Sequence, residues 1–389
     1  MPKFYFLLGS FPQLARAELA TVSGQRVEIL ADGRLAEVEL NDDDQARRVY
    51  HQLGGSVKVF KQIWAGQPDD DGQPNNLKRV LMATISSGSG QFGLSNQSTQ
   101  PSPGLTEQWL KQQLKADGVK ARFRPSERWG VTTALLEHHP DVIDLVITSW
   151  REQVLALRSI ASQNISDWAK RDRRKPYANR RKGLLPPKLA RIMVNLAVGG
   201  PQQQHSLIYD PFCGSGSILM EAALLGHQPW GSDLDRSAVE GSLDNLSWLS
   251  SEYNLTPNWS VFRHDAGQTI PANLPQMDAV VTEPFLGKLT PRPAELAGMF
   301  RGLSKMYLGA LKRWRSVLKA GARVVIIMPR FSDSHGRTDG STDRQSADRQ
   351  LSVLIDKLPG LGYTTDSESF RYSRPNAVTE REIFLLKKH

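Results

Sequence analysis

The residues best suited to chemistry follow a short apolar stretch at 207–209 and read DPFCGSG at 210–216. A strand that ends in a carboxylate, turns through two glycines and enters a helix exposes backbone amides to a ligand. The third glycine of the dinucleotide-binding fingerprint is replaced by Leu219. Since Asp210 would repel a pyrophosphate, the loop suits a ligand with positive charge, such as the amino group of S-adenosylmethionine.

Two more predicted strands end in carboxylates at the same sheet edge. Asp233 follows PWGS at 229–232, where a carboxylate can accept hydrogen bonds from both ribose hydroxyls. Asp265 follows WSVFRH at 259–264, where it can bind an adenine amino group. Asp235 is predicted to cap the next helix. Because ligands of open α/β sheets bind at the carboxyl ends of the strands, these residues predict one nucleoside-binding site.

A fourth predicted strand, MDAVVT at 277–282, continues into Glu283, Pro284 and Phe285. The residue before a proline favours an extended backbone, and Pro284 itself lacks an amide donor. The Glu283 side chain and the carbonyls of Glu283 and Pro284 can therefore accept hydrogen bonds from an amino group. The exocyclic amine of a base is a poor nucleophile, so it needs such acceptors to hold it in line with a methyl donor. Phe285 could stack on that base, although a Glu-Pro pair is also common in turns.

These strands belong to a stretch beginning at Leu184 in which predicted strands and helices alternate, with helices that include 293–319 and 349–358. Such alternation is typical of a doubly wound, mainly parallel sheet. Residues 1–64 instead predict strand–helix–strand–strand–helix–strand, a small α+β layout. After them, a helix at 106–117 and the next strand carry a predicted basic RNA-binding face formed by Lys111, Lys115, Arg122 and Arg124.

The formal charge of +9 is concentrated in one segment. Residues 169–183 carry a net +7, while residues 1–155 have 17 basic and 18 acidic side chains. A charge run is often a solvated segment, but clustered cations also release counterions from a nucleic-acid backbone. Tyr177, within the run, could stack on a base. The candidate phosphate contacts are Lys170, Arg171, Arg173, Arg174, Lys175, Arg180, Arg181 and Lys182.

Composition excludes several classes of protein. The chain is 39% hydrophobic, which excludes global disorder. The single cysteine, Cys213, excludes a disulfide scaffold and a multi-cysteine zinc site, and no metal is expected. No stretch approaches the roughly 20 apolar residues of a membrane span. We expect a cytoplasmic, soluble, multidomain protein without membrane contact, and assign no role to the polar loop at 333–348.

Together, DPFCGSG, Asp233, Asp265 and EPFLG at 283–287 resemble the motifs of the amino-methylating class of S-adenosylmethionine-dependent methyltransferases. The wider chain is similar to the THUMP-containing tRNA guanosine N2-methyltransferases that modify position ten of tRNA. This similarity includes KFYFLLGSFPQLARAEL at the start and LLPPKLARIMVNLA at 184–197. It implies an α/β fold, with a C-terminal Rossmann-like methyltransferase domain preceded by an α+β N-terminal domain and a THUMP-like α/β RNA-binding domain. The implied boundaries are 1–64 (ferredoxin-like), 65–160 (THUMP-like), 161–183 (basic linker) and 184–389 (methyltransferase).

The resemblance also implies roles for individual residues. Glu283, with Pro284 and Phe285, falls on the catalytic motif, usually D-P-P-Y, in which Glu283 here replaces the Asp and Leu286 the aromatic residue. The resemblance implies S-adenosylmethionine as the cofactor, and as partners tRNA with a target base turned out of its stack, plus a small activating subunit or none. The cofactor-binding positions are Asp210, Phe212, Gly214, Gly216, Asp233, Asp265 and Ala266.

Other functions remain open from the sequence. Because the motif class spans two acceptors, an adenine N6-methyltransferase acting on RNA or DNA is an alternative. A non-catalytic tRNA-binding protein with a degenerate fourth motif is another. A nicotinamide-dependent enzyme is disfavoured by Asp210 and Leu219. The identity of the modified nucleoside distinguishes the guanine N2-methyltransferase from the adenine N6-methyltransferase, and the lack of turnover identifies the non-catalytic binding protein.

Overall fold

The structure is a computed structural model, and it divides the chain into two compact units, Met1–Ala169 and Lys170–His389. No helix within the described part of the chain is long and apolar enough to cross a membrane. The structure describes residues 1–30, 33–66, 76–88, 90–98, 105–178, 184–200, 205–288, 293–331, 354–366, 368–372 and 379–389.

The N-terminal unit is built on one eight-stranded sheet with the order β2-β3-β1-β4-β8-β7-β5-β6. Its strands are β1 (Lys3–Leu8), β2 (Glu28–Ile29), β3 (Leu35–Glu39), β4 (Ser56–Gly66), β5 (Gln91–Asn96), β6 (Arg122–Phe123), β7 (Ile143–Trp150) and β8 (Gln153–Ser162). Its helices are α1 (Pro12–Ser23), α2 (Asp43–Gln52), α3 (Asn76–Ser86), α4 (Glu107–Ala116) and α5 (Thr133–His138), while α6 (Ile165–Arg173) crosses into the C-terminal unit.

The boundary predicted at residue 64 falls inside β4, which pairs antiparallel with β8 along its length. A buried ion pair adds to this continuity, since Lys58 Nζ on β4 lies 2.6 Å from Asp144 Oδ2 on β7. Lys58 also donates to the carbonyl of Trp129, and Asp144 accepts from Val131 N at 2.7 Å. Hydrogen bonds of this kind are what allow two charges to be buried together. The sheet therefore joins the first 64 residues to those that follow.

The C-terminal unit contains a second sheet with the order β11-β10-β9-β12-β13-β16-β14, and β15 pairs with β16. Strands β9 to β13 are parallel, and β16 is antiparallel to β13, so the prediction of a doubly wound, mainly parallel sheet is confirmed. The elements are α7 (Pro187–Val198), β9 (Leu207–Asp210), α8 (Ser217–Leu224), β10 (Gln228–Asp233), α9 (Arg236–Tyr253), β11 (Ser260–Arg263), β12 (Met277–Thr282), α10 (Pro293–Trp314), β13 (Leu318–Phe331), β14 (Tyr363–Thr365), β15 (Phe370–Tyr372) and β16 (Thr379–Lys388).

The central strands are almost wholly apolar because they are buried on both faces. A large core packs Val280 of β12 and Val324 of β13 against Tyr307 and Trp314 of α10. The prediction that this helix extends to Lys319 is wrong, since it ends at Trp314 and β13 starts at Leu318. Pairing between Met277 and Leu318 and a bond from Met277 N to the carbonyl of Val317 draw that segment into the sheet.

Two other segments predicted from the sequence lie partly or wholly outside the described residues. In the helix predicted over 349–358, residues 354–357 are helical, and those before them lie outside the described ranges. The loop at 333–348 also lies outside them. Strands β7 and β8 were not assigned from the sequence, although together they pair over Leu145–Trp150 and Gln153–Arg158.

Candidate active site

The connection from β9 to α8 takes a shape that requires glycine at two positions. Gly214 and Gly216 have φ values of 52° and 74°, in the left-handed region that side chains disfavour. Gly214 N donates to Asp233 Oδ2 at 3.0 Å, and Gly216 is the residue preceding α8. The end of β10 therefore holds the glycine loop at the amino end of this helix.

In the dinucleotide-binding fingerprint a third glycine lets the helix pack closely on the sheet, and here a glycine of β10 allows that packing instead. Position 219 is leucine, and a Cβ added at Gly231 would lie 2.5 Å from Leu219 Cδ1. The same Cβ would lie 3.2 Å from that of Cys213 in the loop. A glycine in a strand often marks such a close approach. Gly231 thus lets α8 and the loop lie against the sheet despite the missing helix glycine.

Asp210 is a fully buried carboxyl group at the end of β9. Its Oδ1 accepts from Thr282 Oγ1 at 2.7 Å and from Phe212 N at 3.1 Å. Burial raises the pKa of Asp210 to about 7, and the nearby charges of Asp233 and Glu283 contribute to this rise. A positively charged ligand would reverse this effect, so the surroundings of Asp210 favour binding a cation.

The other two carboxylates lie at the ends of neighbouring strands. Asp233 Oδ1 accepts from Asp235 N at 2.9 Å, in addition to its bond with Gly214. Asp235 accepts from Ser237 N, which confirms it as the residue capping α9. Asp265 is exposed and accepts from the amide of Gly267. The edge therefore presents one buried and two more accessible carboxylates.

A cavity of about 970 Å³ opens at this edge. Of the predicted positions it brings together Asp210, Phe212, Gly214, Asp233, Asp265, Ala266, Glu283, Pro284 and Phe285. Gly216 is not among the lining residues, so its role is conformational. The cavity is also lined by residues that were not predicted as site residues from the sequence, including Leu185, Ser215, Ser217, Leu234, Asp235, His264, Lys288, Met306 and Arg381.

The fourth motif follows β12 and is held by two long-range contacts. Tyr307 OH on α10 donates to the carbonyl of Phe285 at 2.8 Å, while the Phe285 side chain stays 63% exposed. Glu283 forms an ion pair with Arg381 of β16 through its Oε1. The motif thus presents a carboxylate and an exposed aromatic ring to the cavity. No local sequence signal identifies Tyr307 or Arg381, since each lies far along the chain.

The basic run is not uniformly exposed, which corrects two predicted RNA contacts. Arg171 is only 2% exposed, and its Nε donates to Glu221 Oε1 at 2.7 Å. Arg191 of α7 donates to the other carboxylate oxygen, also at 2.7 Å. Lys175 is 5% exposed. Both predicted cations are therefore buried in the C-terminal unit and cannot bind a phosphate backbone from outside.

Lys175 lies behind the glycine loop instead. Its Nζ lies 2.9 Å from Ser217 Oγ and 3.4 Å from Ser215 Oγ, and both serines line the cavity. Burial lowers the pKa of Lys175 to about 8. The Asn245 amide bonds the carbonyls of Tyr177 and Ser215, each at 2.8 Å. The segment 170–178 therefore supports the loop that shapes the cavity.

The remaining residues of the run have different positions. Tyr177 was predicted to stack on a base, but a Cβ at Gly241 would lie 2.2 Å from its ring, which packs on α9. Lys170 pairs with Glu252. The exposed members are Arg173 and Arg174, while Arg180, Arg181 and Lys182 lie outside the described residues.

The predicted basic face of the N-terminal unit involves α4 and the edge strand β6. Lys111, Lys115 and Arg122 are exposed. Arg124 is half-buried, and its Nε donates to Gln91 Oε1 at 2.8 Å. Lys78 of α3, which was not predicted from the sequence, has its Nζ 4.8 Å from the Trp109 ring centroid of α4. The three exposed cations are therefore accessible to a phosphate backbone from solvent.

Comparisons with known proteins agree with this geometry. Residues 173–349 match the family model UPF0020 (RMKL-like, methyltransferase domain). A tRNA (guanine(10)-N2)-dimethyltransferase of Methanothermobacter thermautotrophicus is 34% identical over 157 residues, covering 40% of this chain and 42% of the relative. A protein named as a probable tRNA (guanine(10)-N2)-dimethyltransferase from Methanothermococcus thermolithotrophicus is 33% identical, covering 30% of this chain and 70% of the relative. The chain belongs to the methyltransferase family that these relatives represent.

The chain spans less than half the length of some of these relatives, 42% of the Methanothermobacter protein and 35% of one from Methanocaldococcus jannaschii. Among solved structures, TrmN from Thermus thermophilus aligns over the whole of both chains with a TM-score of 0.53 and 16% identity. A possible methylase from Clostridium difficile aligns with a TM-score of 0.50 and 12% identity. At these identities the likeness shows the methyltransferase fold alone.

The cofactor of this methyltransferase is S-adenosylmethionine, and the residues present fit it. Its sulfonium and ammonium groups are cations, and the cavity is lined by five carboxyl groups, those of Asp210, Asp233, Asp235, Asp265 and Glu283. Its nucleoside has hydroxyl and amino donors that such carboxylates accept. No cluster of three or more potential metal ligands occurs among the residues that the structure describes.

Proposed function

We propose that this methyltransferase transfers a methyl group from S-adenosylmethionine to the exocyclic N2 atom of a guanosine in tRNA, at position ten. The observation that carries the proposal is the position of Glu283, Pro284 and Phe285 at the end of β12, in the same cavity as the buried Asp210. The names of the relatives described above support the substrate and the position.

The acceptor chemistry is assigned to the fourth motif. The lone pair of the guanine N2 is delocalised into the ring, so its N–H groups need acceptors that hold it in line with the methyl group. Glu283 accepts one of these N–H groups, with the carbonyls of Glu283 and Pro284 beside it. The exposed ring of Phe285 stacks on the base, which must first leave its stack in the tRNA. The reaction forms an N–C bond, breaks an S–C bond and releases one proton from N2.

The cofactor positions are divided among three strand ends. S-adenosylmethionine supplies the electrophilic methyl group when it is bound. Asp210, Phe212 and Gly214 would contact its methionine end, with Gly216 shaping the loop, and Asp233 would accept from the ribose. Asp265 and Ala266 would contact the adenine at the end of β11. Raising the local negative charge around a sulfonium favours binding of the cation over its neutral product.

RNA binding is assigned to exposed cations. In the N-terminal unit these are Lys111, Lys115 and Arg122, with Arg124 beside them, and this part would correspond to the ferredoxin-like and THUMP-like regions. In the C-terminal unit they are Arg173 and Arg174. Phosphate contacts of this kind position the RNA without reading its sequence.

The test is methyl transfer from labelled S-adenosylmethionine to unmodified tRNA, followed by mapping and analysis of the labelled nucleoside. N2-methylguanosine or N2,N2-dimethylguanosine at position ten is the expected product. Detection of N6-methyladenosine would show instead that the protein is an adenine N6-methyltransferase. Binding of tRNA without any methyl transfer would show that it is a non-catalytic tRNA-binding protein.

Glu283→Ala should abolish transfer while binding of S-adenosylhomocysteine is retained. The matched control is Glu240→Ala, which removes an exposed glutamate of α9 that pairs with Arg236 outside the cavity. This control should retain full activity. Retained transfer by Glu283→Ala would remove Glu283 from the mechanism.

A further inference from the structure

The residue that faces the fourth motif comes from the far end of the chain. Arg381 lies on β16, opposite Pro329 of β13, and is 98 residues from Glu283. Its Nε donates to Glu283 Oε1, and both side chains line the cavity. The Arg381 side chain is 19% exposed and the Glu283 side chain is 15% exposed. The pair is therefore neither a surface contact nor fully closed off, and a ligand in the cavity reaches both partners.

The pair also accounts for a departure from the family motif. Glu283 stands where the motif has Asp, so its carboxylate is one methylene further from the backbone. In this structure that carboxylate meets the guanidinium of Arg381. The bond uses one of the two lone pairs of Oε1, which leaves the other lone pair and Oε2 for a ligand, and a guanidinium has five N–H donors of which the pair uses one.

The two side chains form an ordered array of polar groups. It runs from the two acceptor oxygens of Glu283 to the N–H donors of Arg381. The Watson–Crick edge of guanine has the complementary order, with donors on N2 and N1 and an acceptor at O6. Adenine has one donor, at N6, followed by the acceptor N1. When the target amino group lies at Oε2, adenine therefore places an acceptor against an acceptor.

We propose that Arg381 is a specificity-determining residue that donates to O6 of the target guanine while Glu283 accepts from its N1 and N2. This inference rests on the proposed function, because it assumes that guanine N2 is the acceptor. A cavity built to hydrogen-bond a polar group rejects an analogue that lacks it, since its own polar groups then remain unpaired. Arg381 and Glu283 thus select guanine together among bases with an amino group, and Arg381 is the part that recognises O6.

The experiment compares two substrates and three forms of the enzyme. The substrates are tRNAs assembled by ligation with either guanine or 2-aminopurine at position ten. The second base retains the amino group on C2 but lacks O6 and the hydrogen on N1. The enzymes are the wild type, Arg381→Met, which removes the donors, and Arg381→Lys, which retains a single charged donor. The value measured is kcat/KM for methyl transfer to each substrate.

The wild type should prefer guanine by about 10-fold or more, the discrimination expected for a paired polar contact to a base edge. Arg381→Met should lower kcat/KM for guanine and leave that for 2-aminopurine nearly unchanged, so the preference narrows to the part that Glu283 contributes through N1. Arg381→Lys should restore part of the lost preference. An equal loss on both substrates would show that Arg381 acts only by holding Glu283, and would overturn the inference.

The controls separate this inference from the proposed function. Arg371→Met removes an exposed arginine of the neighbouring strand β15 and should retain the wild-type preference. Binding of S-adenosylhomocysteine and the melting temperature of Arg381→Met should match those of the wild type. If the wild type transfers no methyl group to guanine N2, the proposed function fails. If it does so but the preference is as large in Arg381→Met as in the wild type, only the role of Arg381 fails.

Discussion

Thr282 Oγ1 donates a 2.7 Å hydrogen bond to Asp210 Oδ1, so the end of β12 is tied directly to the end of β9. These neighbouring strands lie at the point where the sheet order reverses, with β10 and β11 on the other side of β9. Ligands of open α/β sheets bind at such a point. The hydrogen bond joins the glycine loop to the motif that carries Glu283, and therefore the cofactor side of the cavity to its acceptor side.

Cofactor affinity should depend on the ionisation of Asp210. Its pKa is raised to about 7 from 3.8, mainly by burial, so much of it is protonated at pH 6. A cationic ligand prefers the ionised form, and binding must then release a proton. Affinity for S-adenosylmethionine should rise with pH between about 5.5 and 7 and level off above pH 8. Isothermal titration without RNA at several pH values measures this.

Asp210→Asn should bind more weakly and show a flat profile across the same range. His264 also lines the cavity, but burial lowers its pKa from 6.5, so its charge is lost at lower pH. His264→Gln should therefore retain the rise between pH 6.5 and 7. If the affinity of Asp210→Asn rose with pH as steeply as that of the wild type, another group would be responsible for the pH dependence of cofactor binding.

Lys175 should make the free energy of unfolding depend on pH in the alkaline range. Its pKa falls from 10.5 to about 8 on folding, so between these values the unfolded chain binds more protons. The free energy of unfolding should therefore rise with pH from 8 to 10.5, by about 3 kcal/mol relative to Lys175→Met. Below pH 8 the burial of the ammonium group is a constant cost. Urea unfolding at pH 7.5, 9 and 10 measures the difference.

Lys175→Met should also weaken cofactor binding, since Ser215 and Ser217 lose the donor that orients their hydroxyl groups. Lys111→Met, at an exposed position, is the matched control and should follow the wild type in both measurements. Identical pH profiles for Lys175→Met and the wild type would contradict the buried charge.

Removing the carboxylate of Glu221 should strongly destabilise the C-terminal unit. It pairs with both Arg171 and Arg191, and its removal would leave two buried guanidinium groups without this counterion. Glu221→Gln should lower the free energy of unfolding by about 3–5 kcal/mol. Glu252→Gln breaks the more accessible pair with Lys170 and should cost at most about 1 kcal/mol. Equal effects in urea unfolding would argue against this ranking.

Charge reversal of the exposed pair Arg173 and Arg174 should weaken tRNA binding. Removing one cation that neutralises a phosphate should reduce the dependence of log affinity on log salt by about 1. Binding of S-adenosylhomocysteine should not change, because neither residue lines the cavity. Filter binding at several salt concentrations measures the slope of log affinity against log salt. An unchanged slope would show that this segment is solvated and does not contact the RNA. Reversal of Arg371 is the control at another exposed site.

The sequence alone determined the strand ends that form the cavity. Each carries a local signature, a short predicted strand followed by Asp210, Asp233 or Asp265, and parallel strands present such ends at one edge. The positive φ values of Gly214 and Gly216 are likewise a local property of the loop. The cofactor chemistry therefore follows from patterns only a few residues long, and the fold class follows from the alternation of such short strands with helices.

The tertiary structure decided which charges are buried and which partners come from far along the chain. Arg171 and Arg173 are chemically alike in the sequence, yet one is buried against Glu221 and the other is exposed. Arg381 reaches Glu283 only because β16 inserts antiparallel beside β13. Burial and long-range pairing depend on how distant segments pack, and no local pattern encodes that packing.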